Sequence, residues 1–334
     1  MQRTATPCTS VRFRSQPPFM KILVTGSSGF IGFHLVKRLL SAGHQVLGID
    51  DNNDYYSPKL KFKRLALLNS KNFSFFESDI NDISVQEQDF DLAINLAAQP
   101  GVRVSKEKEY LYEHSNINGF ISFCTYCRNA NIDKILYASS SSVYTDAYDG
   151  KFCEISTPLR PVSKYGKSKL SNEIYASELV NLYGLSIVGL RFFSVYGPYG
   201  RPDMAYYSFA KAIKEQKIIN LNNNGNMFRD MTFIDDIVQG IFGAIDYVLS
   251  PENKNKSEVF NLGNDTPIKI SDMLHKIEKI IGKKALIQPS VTLNEVLKTH
   301  ADITKAKNLL GYDPKVCFDE GIERFLDWYK NYKN

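Results

Sequence analysis

Residues 26–32 read Gly26-Ser27-Ser28-Gly29-Phe30-Ile31-Gly32 and lie between an apolar run at 21–25 and a helical pattern at 29–40. The order of strand, glycine loop and helix is typical of a unit that binds a dinucleotide. Gly26 would close the strand, Gly29 would let the backbone approach a pyrophosphate, and Gly32 would let the helix pack close to the sheet. The amides at the helix N-terminus would then bind the phosphates.

Apolar runs that alternate with helical patterns continue through the first half of the chain. Continuous apolar runs of this length are typical of strands that are buried on both faces of a sheet. The predicted strands are residues 21–25, 45–49, 73–77, 92–97, 134–138 and 185–192. Because helical crossovers between parallel strands are right-handed, the pattern predicts an α/β fold with a Rossmann-type doubly wound parallel sheet.

The second half of the chain has turn-rich segments at residues 196–203 and 222–226. Such segments lie at the surface and often carry binding groups. Residues 233–241 again have the pattern of a helix that packs on the first domain. We therefore predict a cofactor-binding domain of residues 20–190 and 228–262, and a smaller mixed α/β domain for the substrate of residues 191–227 and 263–334.

An acidic residue, Asp50, follows the second predicted strand, which is where a Rossmann domain binds the adenosine ribose. Its carboxylate would accept hydrogen bonds from both ribose hydroxyls and would repel a 2′-phosphate. Asp51 adds a second negative charge. The sequence therefore predicts NAD as the cofactor rather than NADP.

The segment Tyr165-Gly166-Lys167-Ser168-Lys169 places a tyrosine and a lysine on one face of a predicted helix. An ammonium beside a phenol favours the phenolate, so we expect Tyr165 to act as a base well below its ordinary pKa near ~10. A run of serines at 139–142 supplies hydroxyl groups. A dinucleotide loop, a base and a hydroxyl together predict a site of hydride transfer.

The composition is that of an ordinary globular protein, with 334 residues of which 43% are hydrophobic and 23% charged. The formal net charge of +5 comes from interspersed acidic and basic residues, which argues against binding of nucleic acid. It allows an anionic small-molecule substrate. No segment approaches the ~20 apolar residues that a membrane-spanning helix needs, so we expect no membrane partner.

The five cysteines are odd in number and irregular in spacing, which argues for a reducing, cytoplasmic location. Cys124 and Cys127 have the spacing of a redox or zinc motif. They lack a second ligand pair and fall within a predicted helix at 117–129, so we favour packed thiols and expect no metal. Residues 1–19 are rich in arginine and hydroxyl residues, as in a transit peptide, but the run into the first strand favours a disordered extension.

From residue 20 onward, the chain resembles the extended short-chain dehydrogenase/reductase superfamily, and more closely its nucleotide-sugar epimerases. Four segments resemble the UDP-glucuronate 4-epimerases, namely residues 95–103, 190–198, 200–205 and 229–236. The most discriminating is Gly200-Arg201-Pro202-Asp203-Met204-Ala205. The resemblance implies an isomerase of polysaccharide biosynthesis. Its reaction would be the 4-epimerisation of UDP-glucuronate to UDP-galacturonate, through a 4-keto intermediate and transient hydride transfer to tightly bound NAD.

The resemblance also implies roles for individual residues. Tyr165 would be the catalytic base, Lys169 its electrostatic partner, and Ser140 the group that holds the sugar 4-hydroxyl. Cofactor contacts are implied for Gly26, Gly29, Phe30, Ile31, Gly32, Asp50, Asp79, Ile80, Leu96, Ala97, Ala98, Tyr165, Lys169 and Phe192, with Phe193 beside it. Substrate contacts are implied for Ser141, Ser142, Ser194, Arg201, Arg229 and Asp302. Among these, Arg201 could bind the uronate carboxylate bidentately.

This chain departs from the family pattern without losing a catalytic group. Thr145 stands where glycine is usual, Asp51 where asparagine is, Ser194 where threonine is, and His300 where tyrosine is. The ribose pocket is thus more acidic than usual, and the fit of the nucleotide is altered.

Two alternatives stay open, a 4-epimerase of UDP-glucose or of UDP-N-acetylhexosamine, and a UDP-glucuronate decarboxylase. The decarboxylases place a glutamate near the serine run, and this chain lacks it there. Dehydratases need an Asp-Glu pair where Ser141 and Ser142 stand. The resemblance further implies a homodimer that pairs helices near residues 113–129 and 165–182 across a two-fold axis.

Overall fold

The computed structural model describes residues 19–85, 89–102, 104–145, 150–291 and 296–332. The extension predicted at 1–19 lies outside these ranges except for Phe19. Twelve strands are found in the described residues: β1 Lys21–Thr25, β2 Gln45–Asp50, β3 Phe73–Glu77, β4 Leu92–Asn95, β5 Lys134–Ser140, β6 Ser186–Phe192, β7 Ser194–Tyr196, β8 Ile218–Asn222, β9 Phe228–Phe233, β10 Ser257–Leu262, β11 Pro267–Lys269 and β12 Leu286–Ser290.

Seven of these strands form one parallel sheet in the order β3-β2-β1-β4-β5-β6-β10. The chain leaves β1 towards one edge and returns to the other side of β1 as β4, which is the reversal of a doubly wound sheet. The predicted α/β fold class is therefore confirmed.

All six predicted strands are present, with changes at their ends. β5 continues two residues beyond the prediction, so that Ser140 is its last residue and pairs with Phe192 of β6. β4 ends at Asn95, two residues earlier than predicted. β10 was not predicted as a strand, because its alternating polar residues lack the apolar run of the central strands.

Nine α-helices surround the sheets in the described ranges: α1 Phe30–Ser41, α2 Pro58–Ala66, α3 Gly119–Asn129, α4 Lys164–Tyr183, α5 Ala205–Glu215, α6 Ile234–Leu249, α7 Ile270–Ile281, α8 Thr304–Leu310 and α9 Phe318–Asn331. The helix predicted at 117–129 is α3, preceded by a π-helical turn, Tyr112–Asn118. The wider turn places Asn116 where its side chain bonds both backbone groups of Gln99, at 2.8 and 3.2 Å.

The central sheet is covered on both faces. Neighbouring residues of β1 enter different apolar cores: Ile22 and Val24 join one with α1 and α6, and Leu23 joins the other with α3 and α4. Burial on both faces explains why the strands read as continuous apolar runs.

A second unit holds the smaller sheets. β7 pairs in parallel with β9, and β9 pairs antiparallel with β11, while β8 and β12 form a separate parallel pair. Helices α5, α7 and α9 pack on one another beside them. β9 lies within the range 228–262 predicted for the cofactor domain, yet it pairs with strands of the smaller unit. The domain boundaries stay a prediction.

Candidate active site

A cavity of about 620 Å³ lies where the carboxyl ends of the central strands meet the loops of the second unit. Its lining brings together every predicted site residue except Asp302. Those residues are Gly26, Gly29, Phe30, Ile31, Gly32, Asp50, Asp79, Ile80, Leu96, Ala97, Ala98, Ser140, Ser141, Ser142, Tyr165, Lys169, Phe192, Phe193, Ser194, Arg201 and Arg229. Residues from both halves of the sequence thus form one site.

The glycine loop is shaped by close backbone contacts. Gly26 has a φ of +71°, and a Cβ there would lie 2.5 Å from the carbonyl carbon of Leu96. A Cβ on Gly32 would lie 2.1 Å from the Gly26 oxygen. Helix α1 begins after Gly29 with no side-chain cap, which leaves its first amides available to a ligand.

The ribose end of the cavity has two carboxylates and a buried ammonium. Asp50 accepts hydrogen bonds from the backbone amides of Ser28 at 3.2 Å and Asn52 at 3.0 Å. Lys61 of α2 lies 3.5 Å from Asp50 and 3.9 Å from Asp51. The sequence reasoning missed Lys61, because only its burial distinguishes it from the other lysines of α2. Its charge offsets part of the repulsion that the two carboxylates would exert on a 2′-phosphate.

The predicted adenine contacts follow β3. Asp79 caps a short 3₁₀ helix, where its carboxylate accepts the Asn81 amide at 2.8 Å and contacts His114 at 3.0 Å. Burial alone would raise the pKa of Asp79, but the hydrogen bonds from His114 and Asn81 hold it below its ordinary value. Ile80 is buried beside it.

Helix α4 carries the predicted base in its first turn. Ser163 caps the helix by accepting the Gly166 amide at 3.0 Å. A Cβ on Gly166 would lie 2.2 Å from the Ser142 carbonyl oxygen, so only glycine lets the helix start pack against the serine run. This contact brings Tyr165 next to Ser140.

Lys169 lies one turn further along α4 and is almost fully buried. Its ammonium donates to the Ala138 carbonyl oxygen at 2.9 Å and lies 6.0 Å from the centre of the Tyr165 ring. Burial lowers the pKa of Lys169 to about 8. The strand end of β5 therefore fixes the lysine in place.

The predicted lowering of the Tyr165 pKa is wrong for the protein by itself. Burial raises the pKa of Tyr165, and Arg201 and a hydrogen bond with Ser140 oppose that rise only in part. Desolvation outweighs the nearby charges, and the Lys169 ammonium is not close enough to the phenol to reverse this rise. The phenolate thus needs further positive charge in the cavity.

The serine run forms the floor of the sugar end. Ser140 accepts the Ser142 amide at 3.2 Å and thereby caps a short 3₁₀ turn, Ser141–Val143. The hydroxyls of Ser140 and Ser142 lie 3.2 Å apart. The hydroxyls of three consecutive residues, Ser140, Ser141 and Ser142, therefore line the cavity.

Arg201 reaches the cavity already paired. Its Nε and Nη2 donate to the two carboxylate oxygens of Asp203 at 3.1 and 2.6 Å, and Tyr55 donates to the same carboxylate at 3.2 Å. Burial would lower the pKa of Arg201, but Asp203 raises it overall, so the guanidinium stays charged. The sequence reasoning did not foresee that Asp203 competes for this arginine.

The other predicted substrate residues differ in position. Ser194 begins β7, and Arg229 of β9 lines the cavity while it donates to the Phe228 carbonyl at 2.9 Å. Asp302 lies outside the lining, and its carboxylate accepts the Thr304 amide at 2.9 Å at the start of α8. A contact of Asp302 with the substrate stays a prediction.

Two residues that no motif predicted hold the loop that carries Arg201. His34 of α1 contacts the Pro198 oxygen at 3.0 Å, and burial lowers its pKa to about 4. Arg64 of α2 donates to the Tyr199 oxygen at 2.6 Å and to the Ser28 oxygen at 2.8 Å. The glycine loop and the Arg201 loop are therefore connected through the fully buried side chain of Arg64.

Cys124 and Cys127 are buried free thiols, and burial raises the pKa of Cys124 to about 12. The described residues contain no group of three or more His, Cys, Asp or Glu that could hold a metal. A membrane-crossing helix, long and apolar enough, is likewise not found in that part of the chain.

The residues present fit a dinucleotide. The glycine loop packs so tightly that a Cβ on Gly26, Gly29 or Gly32 would clash with neighbouring backbone, and the first amides of α1 are uncapped at the cavity. Within the described residues, the buried hydroxyls of Ser27 and Ser28 in this loop have no hydrogen-bond partner. Buried polar groups without partners are rare, but neither serine lines the cavity, so the fit rests on the glycine loop and the uncapped amides.

Comparison with known proteins agrees with this site. The NAD dependent epimerase/dehydratase family matches residues 22–263. Protein CapI of Staphylococcus aureus is 40% identical over 337 residues, covering 94% of this chain and 99% of CapI. UDP-glucuronate 4-epimerase 3 of Arabidopsis thaliana is 39% identical over 344 residues, covering 98% of this chain and 80% of that protein. The crystal structure of UDP-glucuronic acid 4-epimerase from Bacillus cereus, in complex with UDP-glucuronic acid and NAD, superposes with a TM-score of 0.87. It is 35% identical and covers 93% of this chain and 99% of that one.

Proposed function

This chain belongs to the NAD dependent epimerase/dehydratase family, and on that premise we propose that it converts UDP-glucuronate to UDP-galacturonate by inversion at C4. The observation that carries the proposal is the content of one cavity: a dinucleotide cradle, Tyr165 beside Ser140, and the guanidinium of Arg201. A cofactor, a base and a carboxylate ligand are what 4-epimerisation of a uronate needs.

The protein's residues divide the work. Ser140 holds the 4-hydroxyl, and Tyr165 takes its proton as the C4 hydride leaves the sugar. NAD, when bound, would supply a reversible hydride acceptor and, in its oxidised form, a positive charge. Once the 4-keto sugar has turned over in the site, Tyr165 would give the proton back to the 4-oxygen. Lys169 and Arg201 add positive charge, which the raised pKa of Tyr165 makes necessary.

The cofactor would lie along the carboxyl ends of β1, β2, β3, β4 and β6. Gly26, Gly29 and Gly32, with Phe30 and Ile31, would hold the pyrophosphate at α1. Asp50 would bind the ribose with Lys61 beside it, Asp79 and Ile80 would flank the adenine, and Leu96, Ala97 and Ala98 would line the path. Lys169 and Phe192 would hold the nicotinamide end.

The sugar nucleotide would occupy the opposite side. Ser141, Ser142 and Ser194 offer hydroxyls to a sugar that must sit in two orientations. Arg201 and Arg229 offer the positive charge that a uronate and a diphosphate require.

A second candidate substrate is a neutral UDP-hexose. The observation that favours it is the bidentate pair of Arg201 with Asp203, which neutralises the guanidinium before any ligand arrives. A neutral sugar would leave that pair intact, whereas a uronate must share Arg201 with Asp203.

One experiment tests both candidates. The purified protein is denatured to identify any released dinucleotide, and UDP-glucuronate and UDP-glucose are each followed by NMR. We expect release of NAD and formation of UDP-galacturonate. Faster turnover of UDP-glucose would replace the uronate by the neutral sugar, and no turnover of either would overturn the assignment.

We also infer a homodimer in the cytoplasm. Apolar side chains lie exposed on the two helices predicted to pair, with Ile121 of α3 38% exposed and Ile174 and Leu182 of α4 55% and 71% exposed. Such groups suit an isologous interface. Light scattering at micromolar concentration tests this, and a monomer would contradict it. The unpaired, buried thiols of Cys124 and Cys127 support a reducing compartment.

A further inference from the structure

An ion pair that the reaction does not use lies sealed behind the active site. Arg191 belongs to β6, whose seven residues are all buried. Its Nε and Nη2 donate to the two carboxylate oxygens of Glu173, a residue of α4, at 2.9 and 2.7 Å. The side chains are 2% and 7% exposed. An arginine in a fully buried strand is costly to desolvate, so its contacts are informative.

Hydrogen bonds extend this pair in both directions. Ser139 donates to Glu173 at 2.5 Å, and Arg191 donates to the Tyr144 hydroxyl at 2.7 Å. Tyr144 donates in turn to the Asn261 side chain at 2.8 Å. These five residues, which we call the Glu173 network, join β5, α4, β6, β10 and the loop after the serine run.

Each part of the Glu173 network adjoins a residue of the active site. Glu173 follows Tyr165 and Lys169 at intervals of four on α4, so all three share one helix face. Ser139 precedes Ser140 in β5. Glu173 therefore links the helix that carries the base to β6 through Arg191. Through Ser139, it also links that helix to β5, the strand that carries Ser140.

Thermodynamic stability alone is a weak reason for such an arrangement. Replacing a buried ion pair by apolar residues of similar volume is often neutral or stabilising, whereas rates are sensitive to shifts of about 1 Å. We propose that Glu173 and Arg191 are positioning residues that fix Tyr165 relative to Ser140 for hydride and proton transfer. This inference rests on the proposed 4-epimerisation and names no contact of either residue with the substrate.

The test begins with Glu173→Gln and Tyr144→Phe in the holoenzyme, assayed at a temperature where both are fully folded. Misplacement of Tyr165 should lower kcat roughly 10- to 100-fold for Glu173→Gln and less for Tyr144→Phe. For Glu173→Gln the KM for the UDP-sugar should stay within about twofold, because Glu173 does not line the cavity.

Two further variants separate positioning from folding. Glu278→Gln removes another buried carboxylate, one that accepts the Ala285 amide at 2.8 Å far along α7, and it should leave kcat unchanged. The double variant Glu173→Met with Arg191→Met removes both charges, and it should melt at a higher temperature than either single variant while kcat stays low.

The outcomes are distinct for the two proposals. Wild type is assayed first, and whichever UDP-sugar it turns over is used for all variants, so loss of the uronate assignment leaves this test intact. A normal kcat in Glu173→Gln, or recovery of kcat in the double methionine variant, would overturn the positioning role. A wild type that turns over no UDP-sugar would overturn both proposals.

Discussion

Two arginine–carboxylate pairs flank Tyr165, with the same geometry in different settings. Arg191 binds Glu173 and Arg201 binds Asp203. In each pair, Nε and Nη2 of the arginine donate hydrogen bonds to the two carboxylate oxygens. The first pair is 2% and 7% exposed, the second 21% and 33%. The same bidentate arginine–carboxylate pair therefore holds secondary-structure elements together where it is buried. Where it borders the cavity, its arginine can also bind a ligand.

The neighbours of the two pairs explain this difference. Arg191 also donates through Nη1 to Tyr144, and neither Arg191 nor Glu173 lines the cavity. Arg201 lies over the Tyr55 ring, 5.9 Å from its centre, and both line the cavity. A ligand can therefore contact Arg201 directly, whereas it can reach the buried pair only through neighbours such as Tyr144.

The largest expected effect is at the residue between the pairs. Tyr165→Phe removes the group that takes the 4-hydroxyl proton, so kcat should fall by roughly 100- to 10,000-fold, the range for loss of a general base. NAD should stay bound, because the ring and its packing are kept. The measurement is turnover of purified holoenzyme by NMR, and near-normal turnover would show that another residue is the base.

The second prediction sets the two pairs against each other in stability. Arg191→Met leaves Glu173 buried without its partner, so the free energy of unfolding should fall by about 3–5 kcal/mol. Arg201→Met should cost about 1 kcal/mol or less, because Asp203 can be hydrated from the cavity. Denaturant unfolding of the two variants measures both values. Equal losses would contradict the comparison.

Much of the site that surrounds these pairs was predictable, for a local reason. Gly29 and Gly32 act through backbone contacts within one turn, and Tyr165 and Lys169 act at a helical spacing, so the sequence shows each of these motifs whole. The strands were predicted well because their burial on both faces makes them continuously apolar.

What the sequence did not show depends on contacts between distant segments. Arg64 and Glu173 look like ordinary helix residues until the fold buries them. Asp203 was read as part of a motif and not as the partner of Arg201. The position of Asp302 outside the cavity follows from the start of α8, which sequence similarity alone does not reveal.

The third prediction concerns a buried cation with no carboxylate among its described contacts. The pKa of Lys169 is lowered from 10.5 to about 8, so between these values the unfolded chain binds more protons than the folded one. The free energy of unfolding should therefore rise with pH from 8 to 10.5, by up to about 3 kcal/mol. Lys169→Met should lack this rise. A parallel pH profile in wild type and variant would contradict the lowered pKa.

The fourth prediction asks whether the open pair serves the ligand. Arg201→Ala should reduce kcat/KM for UDP-glucuronate roughly 30-fold, which corresponds to a loss of about 2 kcal/mol of transition-state stabilisation. This is the low end for truncating a charge pair, because Asp203 already shares the arginine and the site is partly exposed. Turnover of UDP-glucose should stay level or rise, since a neutral sugar does not need the clamp.

Two controls sharpen this result. Arg201→Lys should rescue little, because an ammonium cannot reproduce the planar fork. A parallel fall for both sugars would assign Arg201 a role in folding instead. The uronate assignment would then rest on sequence similarity alone.

The smallest expected effect is at a third pair, Lys61 with Asp50, which is sealed like the first and lines the cavity like the second. Lys61→Met leaves Asp50 and Asp51 without an ammonium near the ribose. A 2′-phosphate should then be disfavoured further, by about 1 kcal/mol, as expected for one unit charge a few ångströms away in a hydrated site. The ratio of the NADP and NAD dissociation constants should rise roughly fivefold.

Lys59→Met, on the exposed side of the same helix, should leave the ratio unchanged. If wild type bound both cofactors equally, the acidic ribose pocket would have no selective role. If Lys61→Met bound NADP more tightly, the inference that Lys61 offsets the repulsion between the two carboxylates and a 2′-phosphate would be wrong.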